Sequence, residues 1–219
     1  MIEIKTSATP SVAQWKAVIA GCRNPYASWD KSDSTMHFDG NTGEIYHMVG
    51  NADLDLMKRL SRAGDDHGKF LRMLPVIADI RAPLYWWKQL DTYKVGTVAN
   101  SDSTMHCIHK QEFSFDDFSC DDIDDETISV MCDVIKELNR CRSMYNVTKE
   151  RSYWNSMIAL LPESYMQHRT WSTNYQTLKH IYNARKDHKL GEWHDFCQWI
   201  TSLPYAEIIT LEVGDGQQG

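Results

Sequence analysis

Apolar residues recur at helical spacing in Val12, Trp15, Val18 and Ile19, which predicts a helix from a Thr9 cap and Pro10 through about Arg23. IEIKT ahead of it reads as a short strand. LDLMKRLSRAG, residues 54–64, predicts a helix ending near a glycine, and DHGKFLRML a second short one. PVIADI then reads as a strand, and PLYWWKQLDTYK from Pro83 as a helix. Ile128, Met131, Val134, Ile135 and Leu138 form one stripe, so a helix capped at Asp125 runs to about Tyr145 with those residues inward. Thr148 caps the next, KERSYWNSMIALL. SYMQHRTWST, residues 164–173, is β-branched and aromatic before a polar break, as a strand would be. NYQTLKHIYNARK and GEWHDFCQWITSL close the pattern as helices, the first with Leu178, Ile181 and Tyr182 inward. Residues 24–50 read as loop and 96–117 as irregular or strand-like. Helices and strands are mixed without the regular alternation of a doubly wound sheet, so the class is α/β or α+β. Residues 1–212 are expected to form one domain and 213–219 a disordered tail.

Polar positions carry one repeat. SDSTMH runs from Ser32 to His37 and again from Ser101 to His106, and the flanks do not match. Solenoid and propeller architectures are excluded. Both copies are small and polar, so both read as loops.

Composition narrows the class. Hydrophobic content of 42% is enough for a sizeable core, and the apolar runs are too short for a transmembrane helix. No signal peptide is visible at MIEIKTSATP, so a soluble cytoplasmic protein is expected. A net charge of −7 argues against a broad surface for nucleic-acid polymers. The acidic run Asp116–Glu126 reads as a solvated loop leading to a helix cap. The six cysteines include no C-x-x-C pair, which favours reduced, mostly buried thiols. Eight tryptophans and ten tyrosines suit a core, an interface or a flat-ligand pocket, and composition does not separate these.

The common phosphate loops and the G-x-S-x-G elbow are missing. His106-Cys107-Ile108-His109 gathers soft ligands, but strand alternation would put His106 and Cys107 on opposite faces, which disfavours a shared zinc. His188 and His194, with Glu192 between, read as surface residues, and no metal is expected.

Two stretches say more: DHGKFLRMLPVIADIRAPLYWWKQLDTYKVGTVANSDSTMH and LLPESYMQHRTWSTNYQTLKHIYNARKDH. In the first, without gaps, His67 falls on the first histidine of G-H-x-[ST]-x-x-E-H, Ala82-Pro83 on an A-P that ends an apolar strand, and Gln89 on the glutamine of R-Q-x-x-R-H-R. In the second, Leu161-Pro162, Trp171, Asn174, Leu178 and Arg185 keep the spacing of L-P, W-T-x-N, S-L and a closing L-R, with Thr177 in place of the serine. Together, over roughly half the chain, they resemble the flavin-dependent thymidylate synthases, which methylate dUMP using FAD and a reduced folate. The departures fall on residues that hold the flavin and the nucleotide. R-H-R is Thr92-Tyr93-Lys94 here, N-E is Ala99-Asn100, S-x-R-Y is Asp102-Ser103-Thr104-Met105, E-H is Arg72-Met73, and the phosphate arginine upstream of L-P is Ile158.

The resemblance implies a sheet flanked by helices, a homotetramer with active sites between subunits, and a hydride passing from flavin to the uracil ring. Arg185 takes the place of the arginine that polarises the pyrimidine; its structural alternative is a helix C-terminal arginine paired with the dipole and Asp187. Gln89 and Ser103 fall where substrate is bound, and Asn174, His180, Lys94 and His67 where the flavin is. Asn174 also suits a helix N-cap, and His67 a turn cap. Tyr85, Trp86 and Trp87 read as core or subunit contact rather than a stacking platform. Three functions stay open: a diverged enzyme modifying C5 of a pyrimidine nucleotide such as dUMP, a non-catalytic nucleotide- or protein-binding scaffold, and an unrelated α+β interaction module.

Overall fold

The computed structural model describes residues 1–41, 43 and 45–211, and the expected disordered tail lies outside them. In chain order the elements are β1 (Glu3–Ala8), α1 (Val12–Arg23), β2 (Thr35–Phe38), β3 (Ile45–Met48), α2 (Asn51–Arg62), β4 (Pro75–Pro83), α3 (Leu84–Leu90), β5 (Val98–Ser101), α4 (Thr104–Cys107), α5 (Asp125–Thr148), α6 (Arg151–Leu160), β6 (Met166–Asn174), α7 (Tyr175–Arg185) and α8 (Gly191–Thr201). Four strands pair in the order β1-β4-β6-β5, and β2 pairs antiparallel with β3. The class is mixed α/β, as the pattern predicts. No helix among the described residues is long and apolar enough to cross a membrane.

Residue contacts divide the chain into two compact units. The first takes Met1–Ile4, Asp79–Thr92 and Ala99–Thr170; the second takes Lys5–Ala78, Tyr93–Val98 and the chain from Trp171 onward. The core of the first gathers Ile108, Phe113, Phe118, Leu138, Cys141 and Met157, with Trp154 and Tyr165 packed against it. Trp86 and Trp87 of α3 are fully buried, and Trp87 Nε1 donates to Gln167 O at 3.0 Å. In the second unit, Trp15 meets Tyr175 and Tyr205 edge-on, and Trp171, Phe196, Trp193 and Trp199 form a contiguous ring cluster. Most of the tryptophans are therefore core, each ring burying a large apolar area.

Several boundaries differ from the pattern. Helix α1 starts at Val12 because Ser11 and Gln14 form a capping box, which overrides the Thr9-Pro10 start. Helix α5 is capped by Asp124 through Thr127 N at 3.0 Å and runs on to Thr148. Thr148 closes that helix rather than opening α6; its hydroxyl donates to Met144 O at 2.8 Å. Of the predicted α5 stripe, Leu138 is fully buried together with Cys141, whereas Ile128, Met131, Val134 and Ile135 are half-buried. His106 and Cys107 lie in a helical turn, not a strand, so the alternation assumed for the H-C-I-H run does not apply. Three cysteines are buried, Cys120 is half-buried, and Cys107 and Cys132 are exposed; all six are free thiols. The segment expected as loop, 24–50, contains the β2–β3 hairpin, with Thr35 opposite Met48 and Phe38 opposite Ile45.

Candidate functional site

In the second unit, helix α7 is the element on which most of the candidate residues converge. Asn174 ends β6 and caps α7: its Oδ1 accepts from Thr177 N at 3.1 Å, which satisfies an orphan amide of the first turn. Its Nδ2 donates to Gly96 O at 3.4 Å, and Thr177 Oγ1 donates to Val95 O at 2.8 Å. The loop Tyr93–Thr97 is thus clamped to the start of α7. Gly96 is needed there twice over. Its φ is +68, and a Cβ would lie 2.4 Å from Asn174 Nδ2. Gly96→Ala is expected to lower stability by about 1–3 kcal/mol. Urea unfolding checks this, and an unchanged midpoint would show that the clamp contributes nothing.

The other end of α7 presents Arg185. Its Nε donates to Tyr93 OH at 3.0 Å, and its guanidinium lies 4.8 Å from the Trp193 ring centre and 5.8 Å from that of Tyr93. The Tyr93 hydroxyl and the Trp193 ring therefore hold one half-buried cation, which suits a guanidinium that donates and stacks at once and would suit lysine poorly. No ion pair between Arg185 and Asp187 is seen among the described residues, but Arg185 does stand in the last turn of α7, where a cation meets the negative end of the helix dipole.

The remaining candidates of this unit sit apart from the stack. His180 is exposed and meets Asp65 at 3.2 Å. His67 occupies the cap position of the 3-10 turn Gly68–Met73 without a side-chain capping bond, so it does not cap that turn. Lys94 is exposed on the clamped loop. Around the same helix, Lys179 Nζ donates to Ser61 O, and burial lowers the pKa of that ammonium. Arg72 Nε donates to Gln176 Oε1 at 2.9 Å.

Gln89 and Ser103 belong to the first unit. Gln89 is half-buried on α3, where its carbonyl accepts from Thr92. Ser103 caps α4 through His106 N at 3.2 Å. With Asp102, Thr104, Cys107, Lys110 and Tyr165 it lines a cavity of about 280 Å³. Burial, then the nearby Asp102 charge, pushes the Tyr165 hydroxyl up to about 12. Asp102 N donates to His168 O of β6 at 3.0 Å, His168 N donates back to the Asp102 carboxylate Oδ2 at 3.4 Å, and Gln167 Nε2 donates to Asp102 O at 3.0 Å. The second SDSTMH is therefore a cavity wall tied to a sheet strand.

The first copy is built differently, and its role was not legible in the sequence. Ser32 Oγ, Ser34 Oγ and the amides of Asp33 and Ser34 all donate to Asp53 Oδ2, at 2.7, 2.6, 3.2 and 3.1 Å. Arg23 Nε donates to the other oxygen at 2.5 Å. In return, the Asp33 carboxylate accepts from Ala52 N and Asp53 N at the start of α2. Asp33 caps the helix whose first turn carries Asp53, a reciprocal arrangement satisfying donors on both sides.

No family model and no curated protein matches this sequence. Solved structures do. Thymidylate synthase X of Helicobacter pylori, determined with FAD and dUMP, aligns with a TM-score of 0.69 at 18% identity over 97% of this chain and 98% of that one. A second structure of the flavin-dependent enzyme from H. pylori gives 0.68 at 16% identity, over 96% of this chain and 98% of that one. The fold is that of the flavin-dependent thymidylate synthases. A UMP/dUMP methylase, PolB of Streptomyces cacaoi with 5-Br dUMP bound, aligns at 0.61 with 15% identity, over 96% of this chain and 95% of that one. Within the flavin-dependent thymidylate synthase fold, Tyr93 and Trp193 are the residues that sequence reasoning passed over. Tyr93 stood in a motif read only for what it lacked, and Trp193 reads on its own as a buried apolar residue of an amphipathic helix.

Proposed function

We propose that this chain recognises a pyrimidine nucleotide such as dUMP; methylation at C5 would in addition need a bound flavin to supply the hydride. The Tyr93–Arg185–Trp193 stack carries the reading. A cation fixed between two rings needs no reorganisation to meet a developing negative charge, such as that on a pyrimidine carbonyl oxygen. The nucleotides bound to the H. pylori enzyme and to PolB support the substrate class.

The flavin is a different matter, because the residues present do not fit the family's grip. Both ends of the Asn174 amide are engaged by Thr177 N and Gly96 O, and the Tyr93 hydroxyl is engaged by Arg185. His180 faces Asp65, and Lys94 is the one cation left in the Thr92-Tyr93-Lys94 segment. These observations favour a second reading, in which the scaffold binds the nucleotide without flavin chemistry and without a folate. The purified protein is expected to be colourless after incubation with FAD and desalting. A retained visible flavin band would return the flavin-dependent reaction to first place.

A further inference from the structure

The junction of α5 and α6 differs in charge from a chain whose net charge is −7. A cleft of about 480 Å³ there is lined by Met105, His106, Tyr145, Lys149, Arg151 and Trp154. Its ionisable groups other than the tyrosine are all bases, and no carboxylate lines it. The cations elsewhere on α5 are neutralised: Lys136 pairs with Asp133, Arg140 with Glu137 and Arg142 with Glu112. Among the described residues, Lys149 and Arg151 have no carboxylate partner. Lys149 instead holds its ammonium 5.4 Å over the Tyr145 ring. Its φ is +59, at the helix C-terminal position where glycine is the usual residue. The local backbone therefore carries a cation where glycine would be less strained. Tyr145 and Trp154 are half-buried and pack against the Ile108–Met157 core cluster, so both rings are anchored from below while still lining the cleft.

Unpaired cations beside fixed aromatic faces match a ligand that joins a planar ring to adjacent negative charges. Charge-assisted bonds to phosphate oxygens and ring stacking are both strong where water is partly excluded. The cleft also has the volume of an ordinary small-molecule site. We propose that this cleft binds a nucleoside di- or triphosphate, the base against Tyr145 and Trp154 and the phosphates on Lys149 and Arg151. The site shares no residue with the dUMP reading, so it stands or falls separately.

Titration calorimetry of the full chain with ATP as probe, with and without saturating dUMP, tests it. ATP is expected to bind in both conditions and to bind at least ~10-fold more weakly to the Lys149→Glu, Arg151→Glu double variant, a difference of about 1.4 kcal/mol. Both substituted residues are exposed, so the variant keeps its fold, and its response to dUMP stays that of the parent. Inorganic triphosphate is expected to bind at least ~10-fold more weakly than ATP, because it lacks the ring. Absence of ATP binding, equal binding by the variant, equal binding of triphosphate, or displacement of ATP by dUMP would each overturn the proposal. A missing dUMP response with ATP binding intact would count against the dUMP reading alone.

Discussion

Asp53→Ala is expected to lower folding stability by about 3–5 kcal/mol, a large share of the ~5–15 kcal/mol that holds a typical domain together. Asp53 is 1% exposed and Arg23 5%. Removing the carboxylate leaves the guanidinium buried with, among the described residues, Ser28 O at 3.2 Å as its remaining partner. It also strands the hydroxyls of Ser32 and Ser34 and the amides of Asp33 and Ser34. Leaving such donors unsatisfied costs the full desolvation of each group. The pH dependence follows from the same contacts. Burial by itself would raise the carboxyl pKa, but the bonds from Ser34, Ser32 and Arg23 outweigh it, and the net shift is downward from 3.8. With a folded pKa below the unfolded one, the unfolded state takes up protons first as pH falls. The Asp53 contribution is therefore complete above pH ~4 and is lost as pH drops through the lower folded value. Urea unfolding at neutral pH and through the acid range measures both effects. A variant within about 1 kcal/mol of the parent would mean that the Ser-Asp-Ser segment is held by something other than Asp53.

The second large effect concerns ligand. With dUMP at about a hundred times its dissociation constant, the parent protein is expected to gain ~2.7 kcal/mol of stability, and Arg185→Ala to gain nothing. The variant should still fold. Arg185 is half-buried at the end of α7, whose first turn keeps its own supports from Asn174 and Thr177. Arg185→Lys should behave like the alanine variant, because an ammonium cannot both stack on Trp193 and keep the Nε bond to the Tyr93 hydroxyl. Thermal shifts with and without dUMP decide it, and a full nucleotide response in Arg185→Ala would remove that residue from the site.

The readable parts of the chain were those set by local rules. The stretch PVIADI became β4, SYMQHRTWST became β6, and Asn174 became a helix cap, because apolar alternation and a short acceptor side chain act over a few residues. The β2–β3 hairpin had a signal in D-G-N-x-G, where Asp39 Oδ1 accepts from Asn41 N and Gly43 takes φ +73. Its strands are short and carry exposed Met36, Phe38, Ile45 and Tyr46, so no polar face marked them out. Arg185 was legible by spacing, but its partners were not. Tyr93 stands far from it in sequence and Trp193 on the next helix, and tertiary packing brings the three together. Arg23 and Asp53 are a further case, since two charged residues on separate helices gave no hint that both would be buried.

The hexapeptide repeat has a consequence for anyone who would use it as a handle. Thr35-Met36-His37 lies in an extended strand, whereas Thr104-Met105-His106 begins a helical turn. Identical residues adopt both shapes because the surroundings outweigh their intrinsic preference. An antibody raised against SDSTMH as a free peptide would meet two unlike epitopes on the folded chain, and a single one, presented twice, once the chain is denatured.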